Sequence, residues 1–111
     1  EWLSSCESCN PKVGWLGQVM SVPQVVRCVK LFQSRRPLAG SSGVSVERWD
    51  GSAWQQMFLA EGIQPSAWES LPLLQQPALY LPAESRPRWR VVNEAAVRST
   101  WRIAGLKFFT R

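Results

Sequence analysis

Hydrophobic and polar positions along the chain mark short strands, and no stretch sustains the 3.6-residue period of an amphipathic helix. Residues 25 to 32 (VVRCVKLF) are rich in β-branched and aromatic types and follow Pro23, which predicts a strand. The next ten residues, Ser34 to Gly43, contain nearly every turn-forming type and break it. Val44 and Val46 then alternate with polar neighbours up to Trp49, a second strand. Asp50-Gly51 follows as a hairpin signal, because a type I′ turn needs positive φ, and residues 54 to 57 read as the returning strand. Between residues 60 and 82, Pro65, Pro72, Pro77 and Pro82 stand among leucines. Proline lacks an amide donor and fixes φ, so this stretch reads as a packed irregular loop. Residues 89 to 92 and 101 to 109 complete the strands, with 93 to 99 as one helical turn or a connection. Many short strands around a Pro-rich loop, with no internal repeat, predict an all-β fold, an antiparallel β-sandwich spanning 1–111 as one domain. Residues 1–12 form a cysteine-containing N-terminal segment of that domain.

Composition sharpens this picture in three respects. The 111 residues are 45% hydrophobic and 19% charged, a globular balance near the usual size of one core. Seven tryptophans are many for so small a core, and each indole N–H needs a partner, which places several at core edges or contacts. Histidine is absent, which removes a His general base, a Ser-His-Asp or Cys-His arrangement and any His-containing metal site. No apolar run reaches the roughly 18 residues of a membrane span, and no signal-peptide pattern is visible at Glu1. The formal charge of +5 favours acidic partners, yet the basic residues are scattered along the chain, so nucleic acid is the weakest partner class.

The order of these elements resembles the discoidin family, the coagulation factor V/VIII C-type domains with a galactose-binding-like fold. The residues carrying the likeness are Trp15-Leu16-Gly17, the strand from Val26 to Gln33, and the Asp50-Gly51-Ser52-Ala53-Trp54 hairpin. Closing them are Trp89-Arg90-Val91-Val92 and the run from Trp101 to Phe108. The resemblance covers roughly residues 13 to 109 and implies a jelly-roll sandwich whose loops bind glycans or lipid headgroups. Two departures stand out. The chain is shorter than a typical member, and Thr110-Arg111 offers no cysteine where members often tie the first and last strands together.

Candidate chemistry is sparse. Cys6, Cys9 and Cys28 fall one ligand short of a zinc site, and no histidine completes it. A disulfide involving the N-terminal segment is expected. Either Cys6 or Cys9 bridges to Cys28, or those two pair and Cys28 is a small core residue. Arg35-Arg36 and Arg86-Pro87-Arg88 are the two basic clusters, suited to planar bidentate contacts, though solvated loop charge is the commoner role of such pairs. Glu47, Asp50, Glu61, Glu69, Glu84 and Glu94 give no sequence sign of a catalytic carboxylate pair, and no phosphate-binding glycine loop follows a strand. Core packing accounts for Trp15, Trp54, Trp89 and Trp101, whereas Trp68 reads as an exposed loop residue.

These readings lead to a non-catalytic interaction domain without cofactor or metal, binding through Arg35, Arg36, Trp68, Arg86 and Arg88 on loops. Its partner is a protein in a larger assembly, onto which the chain docks as a peripheral subunit that does not span the membrane. Arginine outnumbers lysine ten to three, the mark of a GC-rich coding sequence. That suits a unicellular alga and an organellar membrane assembly such as a photosynthetic one. An organelle lumen or the extracellular space is the expected setting rather than the cytosol. The alternative is a glycan- or anionic lipid-headgroup-binding module of a secreted protein.

Overall fold

The computed structural model describes residues 2–20, 26–35, 38–64, 67–73 and 88–109. Eight strands cover them: β1 (Trp2–Leu3), β2 (Trp15–Val19), β3 (Cys28–Gln33), β4 (Gly43–Trp49), β5 (Trp54–Glu61), β6 (Trp68–Pro72), β7 (Arg88–Asn93) and β8 (Arg102–Phe109). No helix occurs among the described residues. Two four-stranded antiparallel sheets, in the orders β1-β8-β3-β6 and β2-β7-β4-β5, pack as a β-sandwich. Strands pair from the outside of the chain inwards, β1 with β8, β2 with β7, β3 with β6 and β4 with β5. Successive pairs fall in alternate sheets, as when one long hairpin is rolled up.

Period-two alternation decides which side chains fill the space between the sheets. Val29, Leu31, Leu71 and Ile103 point in from one sheet, and Val44, Val46, Trp89 and Val91 from the other. Trp101, fully buried, closes one end, its indole N–H donating to Gln33 Oε1 at 2.7 Å. The same amide binds Ser41 twice, donating from Nε2 to the carbonyl (2.8 Å) and accepting the amide N–H at Oε1 (2.7 Å). A buried glutamine so fully engaged joins the end of β3 to the loop before β4. The N-terminal segment lies along the same end. Cys9 and Val97 exchange backbone hydrogen bonds, and the Asn93 carboxamide accepts the Gly14 N–H.

Several sequence expectations are corrected here. The strand read at 25–32 runs Cys28–Gln33; Val25 lies outside the described residues, and Arg27 still bonds Phe109 and Leu73 through its backbone. Trp15–Val19 and Trp2–Leu3 are strands that the alternation did not expose, since Gly17 and the shortness of β1 blur it. Within the supposed loop of 60–82, residues 60–61 finish β5 and Trp68–Pro72 form β6; the stretch from 74 to 82 lies outside the described residues. Proline tolerates β6 because this strand is a sheet edge and Pro72 stands at its end.

The β4–β5 hairpin is present, but its turn is the four-residue loop Asp50–Ala53 rather than a two-residue type I′ turn. Only Gly51, at φ 106°, is left-handed there, and the Asp50 carboxylate accepts the N–H groups of Ser52 and Ala53. The connection at 93–99 contains no helical turn. Cys6 and Cys9 are disulfide-bonded to each other; Cys28 is a free, half-buried thiol at the start of β3 rather than a core residue or a bridge partner.

Candidate functional site

Because Val44, Val46, Trp89 and Val91 point inward, Glu47, Trp49, Arg88 and Arg90 must point out of the β2-β7-β4-β5 sheet. Glu47 stands directly opposite Arg90 on β7, and the Arg90 guanidinium meets its Oε1 through Nε at 2.7 Å and Nη2 at 2.6 Å. On its other side Arg90 faces Gly17 of β2. There the missing side chain leaves room for the Trp15 ring, which a β-carbon at Gly17 would meet at 3.1 Å. The guanidinium therefore sits between two indoles, 4.2 Å from the Trp54 ring centre and 5.4 Å from that of Trp15. Trp49 packs against Trp54 at 5.4 Å, with Arg88 over its ring at 6.0 Å.

These contacts make a preordered aromatic patch on a rigid sheet. Cation–π contacts of this kind contribute up to about 2 kcal/mol when desolvated, and the ion pair beneath is nearly shielded from water, with side-chain exposures of 17% for Arg90 and 8% for Glu47. Glu47 neutralises Arg90, so what the centre of the face offers a partner is aromatic area, with the Arg88 cation beside Trp49 at its edge. Trp15, 49% exposed, offers the most of that area, which corrects its expected place in the core. Trp54 is half-buried on this outer face, while Trp89 and Trp101 are core residues as expected.

Of the three described residues singled out from sequence, two fall elsewhere. Trp68 lies on strand β6, not in a loop, opposite Phe32 and facing out of the other sheet. Arg35 follows β3 on that same face, its guanidinium 6.0 Å from the Phe32 ring centre. Arg88 begins β7 and belongs to the tryptophan patch. Arg36 and Arg86 lie outside the described residues. The fold thus joins Arg35 to Trp68 and separates both from Arg88. Sequence reasoning missed Trp15, Trp49, Glu47 and Arg90 as a group. Their signal was strand parity: once Val44 and Val46 point inward, Glu47 and Trp49 cannot.

Of the carboxylates that raised the question of glycoside chemistry, Glu84 lies outside the described residues and four of the others are engaged in structure. Glu47 holds Arg90, Asp50 holds its turn, Glu94 pairs with Lys12 at 3.2 Å, and Glu69 accepts the Gln64 N–H. Backbone donors from Ser52 and then Ala53 hold the Asp50 carboxyl below its ordinary range. Burial lowers the Arg48 guanidinium from its ordinary value, with Asp50 opposing. Among the described residues there is no cluster of three or more His, Cys, Asp or Glu that could hold a metal ion, and no helix long and apolar enough to cross a membrane. No family model, no curated protein and no solved structure matches the chain.

Proposed function

We propose that this chain is a non-catalytic interaction domain that docks onto a protein partner in a larger assembly through the outer face of the β2-β7-β4-β5 sheet. The observation that carries this reading is the Arg90 guanidinium held between Trp15 and Trp54. Trp and Arg are the types most enriched at binding hot spots, and here both are fixed before any partner arrives, so little side-chain entropy is lost on docking. The ring planes favour a protein over an extended glycan. Trp15 and Trp54 are inclined by 45°, and Trp49 and Trp54 by 64°. A flat sugar chain needs coplanar rings, whereas a side chain from another protein fits an angled pocket. The strand pairing β1·β8, β2·β7, β3·β6, β4·β5 is the pattern expected of a jelly roll and supports that finer reading of the sandwich. The non-catalytic reading rests on the lack of histidine in the sequence and on the structural roles of Glu47, Asp50, Glu69 and Glu94.

The test uses the full chain in extract of its source, with a photo-crosslinker at Val19, which is exposed on the same face. One adduct of defined mass, weakened by Trp15→Ala to the extent of about 2 kcal/mol in binding, is the expected outcome. Retention of the purified chain on a sugar matrix, with loss in Trp15→Ala and no protein adduct, would replace the docking reading by a glycan module.

A further inference from the structure

The opposite face of the sandwich has a different chemistry. In β3, Val29 and Leu31 are core, so Cys28, Lys30 and Phe32 face out; registry places Phe109, Lys107 and Gly105 of β8, and Pro72, Ser70 and Trp68 of β6, beside them. The result is a set of rows across the sheet. Phe109 stands in the first, Lys30 and Lys107 in the second and Phe32 and Trp68 in the third, with Arg35 just beyond. Rows are two residues apart, about 6.7 Å. Each ring carries a cation: Lys30 lies 5.4 Å from the Phe109 centre, Lys107 5.1 Å from Trp68 and Arg35 6.0 Å from Phe32. Trp68 is 48% exposed and its ring lies over Gly105, where a β-carbon would come within 2.5 Å of it. Among the described residues, no carboxylate occupies an outward position of β3, β6 or β8, since Glu69 shares the inward side of Leu31.

We infer that this face binds single-stranded nucleic acid, the bases stacking on Trp68 and Phe109 and the phosphates meeting Lys30, Lys107 and Arg35. Three cations gathered on one face select an anion, and unlike Arg90 on the other sheet none of these three is ion-paired to a carboxylate among the described residues. Exposed rings interleaved with those cations select an anion that also carries flat, stackable groups. A single strand supplies both at short, repeating intervals; a duplex hides its base faces. An anionic bilayer fits less well, because its binding rings insert beyond the cations, whereas here Lys30, Lys107 and Arg35 are held over the rings at 5.4, 5.1 and 6.0 Å. The scatter of basic residues along the sequence does not apply in three dimensions, where residues 30, 35 and 107 share one face.

The experiment titrates the full chain against a fluorescein-labelled oligothymidylate of about 12 nucleotides, a length typical of single-strand-binding sites, and in parallel against phosphatidylserine vesicles. Trp68→Ala should weaken oligonucleotide binding about tenfold, the loss of one stacked base. The double variant Lys30→Gln/Lys107→Gln should flatten the slope of log affinity against log salt by about 1.4, which is about 0.7 for each lost phosphate contact. Trp15→Ala, on the other sheet, should leave both unchanged. If Trp68→Ala loses its near-UV signature of folding, the lysine double variant decides alone. The inference is overturned if the wild type fails to bind at about 50 mM salt or if the variants bind as the wild type does. Loss of binding in Trp15→Ala, or binding of vesicles but not oligonucleotide, overturns it too.

Discussion

Asp50 holds the β4–β5 turn with one carboxylate oxygen, which accepts the Ser52 and Ala53 N–H groups at 2.8 and 2.7 Å, while the other accepts from Gln55 Nε2 at 3.1 Å. Those donors stabilise the ionised form, so the native carboxyl titrates below its ordinary value of 3.8. The folded state then binds this proton less readily than the unfolded chain, and stability from Asp50 rises with pH. It is fully present above the ordinary value and is lost as pH falls through the lowered native one. Urea midpoints of wild type and Asp50→Asn measured across that window should differ at neutral pH and converge in acid. A constant difference would mean that the charge does not hold the turn. The same residue explains why Asp-Gly announces a hairpin here without its usual turn: the side chain reaches forward and caps a longer loop, leaving positive φ to Gly51 alone.

At the scale of the strand, β7 is central to the tryptophan patch because its register puts Arg90 between Gly17 of β2 and Glu47 of β4. A glycine on one side and a carboxylate on the other let one guanidinium be both stacked and ion-paired. Arg90→Met keeps much of the side-chain volume but leaves the Glu47 carboxylate shielded and without its partner. We expect a loss of about 3 kcal/mol, read as a shift in urea midpoint. Adding Glu47→Leu should restore most of it, since an apolar pair replaces an isolated buried charge. If the double variant is as unstable as the single, the stacking of Arg90 on the indoles, and not its ion pair, holds the face together. The neighbouring strand β5 is bulged opposite Val46/Glu47, which lets Met57 and Phe58 both pack on the core while Trp54 stays outside.

Over the whole molecule, the N-terminal segment acts as a strap across the end closed by Trp101. Ser4 donates its amide to the Trp101 carbonyl and accepts that residue's N–H on its hydroxyl, each at 2.9 Å, and Cys9 pairs with Val97. The Cys6–Cys9 bridge stiffens the strap itself rather than tying it to a strand. Its four-residue loop is short, so the chain-entropy estimate is only about 2 kcal/mol, below the roughly 3 kcal/mol that a bridge to Cys28 would contribute across about 20 residues. Native protein should therefore give one titratable thiol, from Cys28, and three after reduction. Cys6→Ser/Cys9→Ser should keep its strand spectrum and lose about 2 kcal/mol or less. Collapse of the spectrum would mean that the strap is required for the sandwich.

The chain by itself determined the all-β class, the strands beginning near Val44, Arg88 and Trp101, and the burial of Trp89 and Trp101, because alternation of Val, Ile and Trp with polar residues has one economical burial. Asp50-Gly51 marked the hairpin by local backbone chemistry. The missed strands β2 and β6 carry Gly17 and Pro72, residues that local propensity disfavours and that only a sheet neighbour or an edge position makes tolerable. What surrounds each outer face was decided by registry between strands distant in sequence. Glu47 meets Arg90, and Trp15 meets Trp54, across pairings that no local pattern specifies. Cation, carboxylate and indole are individually ordinary in the sequence; a chemically distinct face arises only when β-strand pairing brings them within a few ångströms of one another.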